Sequence, residues 1–279
     1  MSRNAKKAAF LKKAGWGDAV LSPLAGDASN RRYERIASGL KARAAVLMDA
    51  PAERGEDISI FLAFTGALRA LGYSAPEVLE ADIAEGFAII EDLGDALFAR
   101  VAENRLDLEA TIYEAAVDLL AAFHAEPPPN LAQGSGVSLT IPPYDIQVLK
   151  REARLAMEWW ASGALGKAPE EDLLTEYDQL LDDVCAVVAT DRSALVMRDY
   201  HSENLLWLPE RCGHRRVGLL DYQDALLGAP AYDLVSLLED ARRDTSSELR
   251  DAMFTRYLSR SGEEPEAFQA AYALSLIHI

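Results

Sequence analysis

The stretch LVMRDYHSENLLWL, from Leu195 to Leu208, constrains the fold more than any other part of the chain. Apolar residues lead into it and out of it, whereas most residues from Arg198 to Asn204 carry polar side chains. Short apolar runs on both sides of a polar segment are typical of two buried strands joined by a loop. The sequence therefore places an Asp, a His, a Glu and an Asn together on one loop between two strands.

A further carboxylate follows on the next hairpin. The segments NLLWL and RRVGLLD read as two strands around the turn PERCGH, and Asp221 ends the second strand. Asp199 could accept a proton from an attacking hydroxyl, while Asn204 and Asp221 could supply oxygen ligands to Mg²⁺ held against a nucleotide. Two protein ligands suffice, because Mg²⁺ keeps waters and phosphate oxygens for its other positions. An isolated loop Asp would match the first half of this pattern equally well, so Asp221 strengthens the interpretation.

Composition narrows the class of protein. The 279 residues, half of them hydrophobic, can bury the core of one large domain or two lobes. A net charge of −17, from 28 basic and 45 acidic residues, argues against a broad nucleic-acid or anionic-membrane surface. Two cysteines without CxxC spacing indicate neither a disulfide framework nor a zinc site, and no apolar run approaches about eighteen residues. We expect a soluble, cytoplasmic monomer without nucleic-acid or membrane partners.

The chain divides into two regions of different character. Residues 1–94 hold the polar turn LAGDASNRRYERI, the apolar strand ARAAVLMDA, a helical pattern from Ile58 to Leu71 that stops at Gly72, and the strand GFAIIEDLGD. Residues 95–279 are mainly helical and open with EATIYEAAVDLLAAFHA, whose Ile112, Ala116, Leu119, Leu120 and Phe123 share one helix face. The segment HAEPPPNLAQGSGVSLTIPPYD, rich in proline and glycine, is predicted to be a surface loop.

Six segments resemble a known superfamily and appear in its order along most of the chain: GDASNRRYERI (26–36), VLMDAP (46–51), IIEDLGD (89–95), IPPYD (141–145), MRDYHSENLL (197–206) and LLDYQDALLGAPAYDLVSLLED (219–240). The chain resembles the kinase-like phosphotransferases, in which a D-x-x-x-x-N loop precedes a metal-binding Asp. Within them it is most similar to the aminoglycoside phosphotransferase group, and specifically to the bacterial anomeric N-acetylmuramate and N-acetylglucosamine kinases of cell-wall recycling. The catalytic-loop and metal-Asp segments are specific to the superfamily. The assignment to the amino-sugar branch rests on weaker similarity in the other segments.

The resemblance implies a two-lobed protein-kinase-like α+β fold, with a small sheet-containing N-lobe over 1–94 and a mainly helical C-lobe over 95–279. It implies ATP and Mg²⁺ as cofactors and a sugar hydroxyl as acceptor, with Glu91 and Leu93 offering backbone groups to adenine. His201 would shape the loop or contact substrate, and Asp224 would bind sugar or cap a turn. Asp233 would be a helix N-cap or would hydrogen-bond the catalytic loop. Trp159 and Trp160 would pack in a helix or form a sugar platform.

Departures from the superfamily are confined to the phosphate region and to one loop position. GDASNRRY has a single glycine, Met48 stands where a strand Lys is expected, and Met197 stands where many relatives have His. Phosphate charge is then left to Mg²⁺, to the backbone N–H groups of Asp27, Ala28, Ser29 and Asn30, and to Arg31 or Arg32. Adjacent strand residues point to opposite faces, so we expect at most one of the two arginines to matter; the alternative is that both are solvated charges at the strand edge.

Two other functions fit the same residues. One is a kinase of aminoglycosides or of another small metabolite, and the other is a nucleotide-binding pseudokinase, which the absent Lys and Met197 favour. The similarity also predicts further helix beyond LSLIHI at 274–279, so we expect a truncated or non-native end there.

Overall fold

The computed structural model of this protein describes residues 1–24, 30–38 and 44–278. The chain forms two compact units. The first comprises Met1–Ala96, Leu131–Thr140 and Leu206–Gln223, and the second comprises Leu97–Asn130, Ile141–Leu205 and Asp224–Ile279. The expected boundary at Gly94 lies close to the first break, and two later segments also belong to the first unit. The predicted α+β class, with a sheet in the first unit and mainly helices in the second, is confirmed.

The first unit is built around a five-stranded antiparallel sheet. Its strands are β1 (Val20–Pro23), β2 (Arg32–Ala37), β3 (Ala45–Asp49), β4 (Val78–Asp82) and β5 (Phe87–Glu91), in the spatial order β1-β2-β3-β5-β4. The central strand β3 is buried along its whole length. Because both of its faces are covered, its sequence is continuously apolar rather than alternating up to Asp49.

One sheet face is covered by helix α1 (Arg3–Lys13). Phe10 and Leu11 of this helix join a cluster that includes Ile36, Leu47 and Ile89 from the sheet. Since strand residues alternate between faces, Leu47 faces α1 and its neighbour Met48 faces the opposite side. The Met48 side chain is fully buried, so this strand position carries an apolar side chain and no positive charge.

Helix α2 (Ile58–Ala70) confirms the helical pattern read from the sequence. The Asp57 side chain caps it by accepting a hydrogen bond from the Ser59 amide at 2.8 Å. Gly72, with φ +89°, follows its C-cap, Leu71. A left-handed glycine stops a helix because it lacks the Cβ that would clash there.

A hairpin replaces the surface loop that was expected after helix α4 (Glu109–Ala125). Strands β6 (Leu131–Gly134) and β7 (Val137–Thr140) pair antiparallel through a two-residue turn at Ser135 and Gly136, both with positive φ. Such a turn matches the right-handed twist of the strands. A Cβ on Gly134 would lie 2.1 Å from the Leu62 carbonyl oxygen, so the hairpin backbone touches the α2 backbone. The expectation of a loop was wrong for residues 131–140, because glycine at position 134 lets the hairpin backbone pack directly against the backbone of α2.

The second unit consists mainly of helices: α3 (Phe98–Asn104), α4 (Glu109–Ala125), α5 (Ile146–Leu155), a π-helix (Ala156–Ala161), α6 (Ser162–Leu165), α7 (Glu171–Cys185), α8 (Ala231–Leu238), α9 (Ser247–Ser261) and α10 (Pro265–His278). The predicted apolar face of α4 is entirely buried. Strands β8 (Ala194–Val196) and β11 (Leu226–Gly228) pair antiparallel in this unit. None of the helices in the described residues is both long and apolar enough to cross a membrane.

Candidate active site

The polar loop lies where the sequence predicted, between β8 and the strand β9 (Leu205–Trp207), which pairs with β10 (Val217–Leu219). Local backbone hydrogen bonds turn the chain: the Asp199 amide donates to the Met197 carbonyl at 2.8 Å, and the His201 amide donates to the Asp199 carbonyl at 3.0 Å. Asp199 is half-buried at the turn. The loop therefore presents Asp199 from a locally closed backbone.

Asn204 is tied back to Asp199 through its side-chain amide. Its Nδ2 donates to the Asp199 carbonyl at 3.1 Å and lies 3.2 Å from His201 Nε2. With Nδ2 directed into the loop, Oδ1 is the atom that Asn204 can offer to a cation. His201 is buried, which supports the loop-shaping interpretation, while its contact with a substrate stays a prediction.

The Asp233 side chain holds the backbone at Met197 and Arg198, where the loop begins. It lies in the first turn of α8, is fully buried, and accepts hydrogen bonds from the amides of Met197 at 2.7 Å and Arg198 at 2.9 Å. The helix N-cap is Pro230 and has no side-chain bond, so the N-cap alternative for Asp233 was wrong. A buried carboxylate that accepts two amide N–H groups fixes the backbone strongly.

Arg198 adopts φ +68°, a conformation that costs a non-glycine residue about 1 kcal/mol or more. Several contacts keep it there. Asp233 binds its amide, and Ser236 Oγ donates to its carbonyl at 3.1 Å. Its guanidinium donates to Glu152 of α5 at 2.5 Å. Burial opposes the charge of Arg198, but the Coulombic attraction of Glu152 leaves its pKa above the usual value.

Two residues that the sequence reasoning missed lie behind Asp233. His124, at the end of α4, has Nε2 at 3.5 Å from Asp233 Oδ2, and its Nδ1 lies 2.9 Å from the Tyr257 hydroxyl of α9. At 3.5 Å the first contact is electrostatic rather than a full hydrogen bond. Burial raises the pKa of Tyr257, which stays protonated. No local sequence signal marks the series of contacts from Asp233 through His124 to Tyr257, because the three residues lie on three separate helices.

In the first unit, Asp221 follows β10 with φ +56°. Gln223 Nε2 donates to its Oδ1 at 2.7 Å, and Arg31 Nη2 lies 3.5 Å from the same oxygen. Among the described residues, only Ser135, Arg198 and Asp221 are non-glycine residues with positive φ. Arg198 precedes the predicted base Asp199 in the chain, and Asp221 is itself a predicted metal ligand; backbone strain of this kind clusters at functional sites.

The phosphate segment is described only in part. The predicted residues Asp27, Ala28 and Ser29 lie outside the described residues. The Asn30 amide donates to Glu56 Oε1 at 2.9 Å, and Arg31 Nε lies 3.6 Å from Glu56 Oε2. Arg31 is directed toward Glu56 and Asp221, whereas the adjacent Arg32, at the start of β2, is exposed.

The predicted adenine residues lie at the end of β5. The Glu91 amide donates to the Glu77 carbonyl at 2.8 Å, and the contact of Glu91 with adenine stays a prediction. Its side chain accepts from Arg211 at 2.8 Å. The turn that contains Leu93 is anchored to the sheet by Arg35, whose guanidinium binds both Asp92 and Asp95.

The remaining candidates for contact with a sugar, Trp159, Trp160 and Asp224, are all exposed. Trp159 and Trp160 lie on the π-helix and are 77% and 74% exposed, so the expectation that they pack within a helix was wrong. Asp224 is exposed, and its backbone carbonyl accepts a long hydrogen bond of 3.4 Å from Arg198. Its role toward a sugar stays a prediction.

The donor chemistry of the predicted metal ligands fits a hard cation. Asn204 offers an amide oxygen and Asp221 a carboxylate, and Mg²⁺ prefers oxygen donors of both kinds. Both described contacts of Asp221 reach Oδ1, which leaves Oδ2 as the oxygen directed to other partners. These residues therefore suit Mg²⁺ better than zinc.

Residues 20–270 match the phosphotransferase enzyme family. The chain belongs to this family. It is 40% identical to the N-acetylmuramate/N-acetylglucosamine kinase of Caulobacter vibrioides, over 99% of this chain and 84% of that protein. The kinase of the same name from Pseudomonas aeruginosa is 34% identical over 81% of this chain and 62% of that protein.

The fold is shared with solved members of the family. An ADP-bound aminoglycoside phosphotransferase superposes with a TM-score of 0.62, at 15% identity, over 96% of this chain and 85% of that one. The predicted two-lobed kinase-like fold, the phosphotransferase class and the resemblance to amino-sugar kinases are therefore confirmed.

Proposed function

We propose that this chain transfers the γ-phosphoryl group of ATP to the anomeric hydroxyl of N-acetylmuramate or N-acetylglucosamine. One observation carries the proposal: the 40% identity to a kinase of these two sugars extends over 99% of the chain. The transfer forms a bond between the anomeric oxygen and the γ-phosphorus and breaks the bond from that phosphorus to the ADP oxygen. The hydroxyl proton passes to the protein.

In this reaction Asp199 orients the acceptor hydroxyl and takes its proton. Positioning supplies much of the rate gain in phosphoryl transfer, because the protein makes no covalent bond to the phosphoryl group. Support comes from the Asp199 loop, whose backbone is held by hydrogen bonds to the side chains of Asp233 and Asn204. A base on a fixed loop loses little entropy when the acceptor binds.

Nucleotide binding is assigned to the N-terminal lobe over 1–94. Asn204 and Asp221 would hold Mg²⁺, which neutralises charge on the phosphate oxygens when bound. The N–H groups of the segment from Asp27 to Asn30, with Arg31 or Arg32, would bind the phosphates. Glu91 and Leu93 would contact adenine, and His201 and Asp224 would contact the sugar. We expect the enzyme to act as a cytoplasmic monomer.

The test is a product analysis by ³¹P NMR with ATP and Mg²⁺. We expect a phosphorylated product from N-acetylglucosamine and N-acetylmuramate. The methyl glycoside of N-acetylglucosamine should give none, because its anomeric oxygen carries no proton. Phosphorylation of the methyl glycoside would show that another hydroxyl is the acceptor.

Two alternatives are separated by the same experiment. Transfer to an aminoglycoside but to neither amino sugar would indicate a different small-molecule kinase. The buried Met48, where a phosphate-binding Lys would be expected, motivates a pseudokinase. ATP binding without transfer to any sugar of a broad panel would support that alternative and contradict the proposal.

A further inference from the structure

We infer that Glu56 is a positioning residue that holds Arg31 as the phosphate-binding cation of this enzyme. The inference rests on the proposed function, because it assumes that a nucleoside triphosphate binds the first unit. It adds a residue, Glu56, that neither the motifs nor the similarity to other kinases indicated. It also chooses between the two adjacent arginines.

The first step is the distribution of charge. Strand β3 has the sequence AVLMD and contains no cation, and Met48 is fully buried. The triphosphate of ATP carries several negative charges, which a bound divalent cation offsets only in part. In a chain with a net charge of −17, the remaining compensation requires a local basic group.

The second step identifies Arg31. Its side chain is 13% exposed and lies between two carboxylates, with Nε 3.6 Å from Glu56 and Nη2 3.5 Å from Asp221. Both distances exceed those of strong charge-assisted hydrogen bonds, which are about 2.7–2.9 Å. Such contacts hold the guanidinium in place and still allow one carboxylate to be exchanged for a phosphate oxygen.

The third step is the double role of Glu56. One carboxylate oxygen accepts the Asn30 amide at 2.9 Å, and the other faces Arg31 Nε. A single side chain thereby fixes the backbone before Arg31 and the orientation of its guanidinium. Glu56 lies just before α2, whose N-cap is the neighbouring Asp57, so it is attached to a rigid element.

These contacts predict an exchange. Asp221 would be the residue that holds the cation and Arg31 the residue that binds the phosphates, so nucleotide binding would separate the pair between Arg31 and Asp221. Glu56 keeps its contact with Nε throughout. Without Glu56, Arg31 would remain on Asp221 or turn to solvent, and the affinity for the triphosphate would fall.

The experiment measures nucleotide affinity by isothermal titration without any sugar, for Mg²⁺-ATP and for AMP, which lacks the β- and γ-phosphates. The variants are Arg31→Gln, Glu56→Gln and the double variant. Arg32→Gln is the comparison variant for the other candidate arginine. The matched controls are Arg215→Gln and Glu80→Gln, which remove the same charges at exposed positions of the first unit outside the phosphate segment. Circular dichroism checks the fold, and Arg31→Lys replaces Arg31→Gln if that variant does not fold.

We expect Arg31→Gln to weaken Mg²⁺-ATP about 10- to 30-fold and Glu56→Gln about 3- to 10-fold, with AMP changed less than about 2-fold. The double variant should match Arg31→Gln, because Glu56 acts through Arg31. Arg31→Lys should lose less than Arg31→Gln, because it keeps the charge but not the paired donors.

Three results would overturn the inference: Arg31→Gln equal to Arg32→Gln, losses of Arg31→Gln and Glu56→Gln that add fully, or an equal loss of AMP affinity. If the parent protein binds Mg²⁺-ATP and these results appear, only the inference fails. If the parent protein does not bind Mg²⁺-ATP at all, the proposed function fails as well.

Discussion

The Asp199 loop and the phosphate segment from Asn30 to Arg32 are held by different forces. Fully buried Asp233 fixes the loop entry through two amide hydrogen bonds of 2.7 and 2.9 Å. In the phosphate segment the Asn30 amide donates to Glu56 at 2.9 Å and Asn30 Nδ2 donates to the Arg54 carbonyl at 3.1 Å, while the contacts of Arg31 with Glu56 and Asp221 are longer ion contacts.

The two regions differ in whether the groups that hold them are also groups that a bound ligand would contact. The loop entry is held by Asp233, a fully buried side chain that no substrate has to displace, so this part of the loop is preorganised before binding. The partners of Arg31 are carboxylates, one of which is a predicted metal ligand. The phosphate segment is therefore expected to change its contacts when nucleotide binds, whereas the loop is not.

The largest expected effect concerns the base on the preorganised loop. Asp199→Asn should leave the fold and ATP affinity nearly intact but lower turnover by about 10²- to 10⁴-fold, because an amide cannot accept the proton. Steady-state kinetics and titration with ATP measure the two quantities. The exposed Asp251→Asn serves as a control. Near-normal turnover in Asp199→Asn would show that another group is the base.

The next effect tests how the loop is held. Asp233→Ala leaves one buried and one part-buried amide without this acceptor, so the free energy of unfolding should fall by about 3 kcal/mol. Urea denaturation measures this fall, and the exposed Asp251→Ala should change the value by less than about 0.5 kcal/mol. If Asp233→Ala and Asp251→Ala lower the free energy of unfolding equally, Asp233 does not hold the loop, and the contrast between the loop and the phosphate segment is wrong.

A smaller effect is expected at the metal ligand in the first unit. Asp221→Asn should weaken Mg²⁺-dependent ATP binding about 10-fold, because a neutral amide attracts the cation less than a carboxylate does. With EDTA present, the variant and the parent should bind ATP about equally poorly. Glu210→Gln, exposed in the turn that follows β9, is the control. An unchanged metal dependence would give Asp221 another role.

The smallest effect sharpens the choice within the phosphate segment. Arg32 is exposed, so Arg32→Ala should change the Michaelis constant for ATP and the turnover less than about 2-fold. The same assay on Arg31→Ala should show a clear loss. If Arg32→Ala loses as much as Arg31→Ala, the two side chains do not differ toward the nucleotide, and the assignment to Arg31 is wrong.

The elements predicted from periodicity agree with the structure. The helix from Ile58, the helix α4 and the hairpin of β9 and β10 all lie where the apolar spacing indicated. The hairpin of β6 and β7 was missed because proline and glycine were read as loop signals. Its backbone packs closely against α2 at Gly134, a contact that no local pattern reveals.

The sequence by itself determined the class of the fold and the order of its elements, because apolar periodicity and turn residues act over a few neighbouring positions. It also determined the candidate base and metal ligands, since their spacing follows strand ends. Tertiary structure alone decided that Asp233 holds the loop rather than capping a helix, and that His124 and Tyr257 lie behind it. It alone directed Arg31 to Glu56 and Asp221 and left Arg32 exposed. The physical reason is that these contacts join residues far apart in the chain, whose distances are set by packing rather than by sequence spacing.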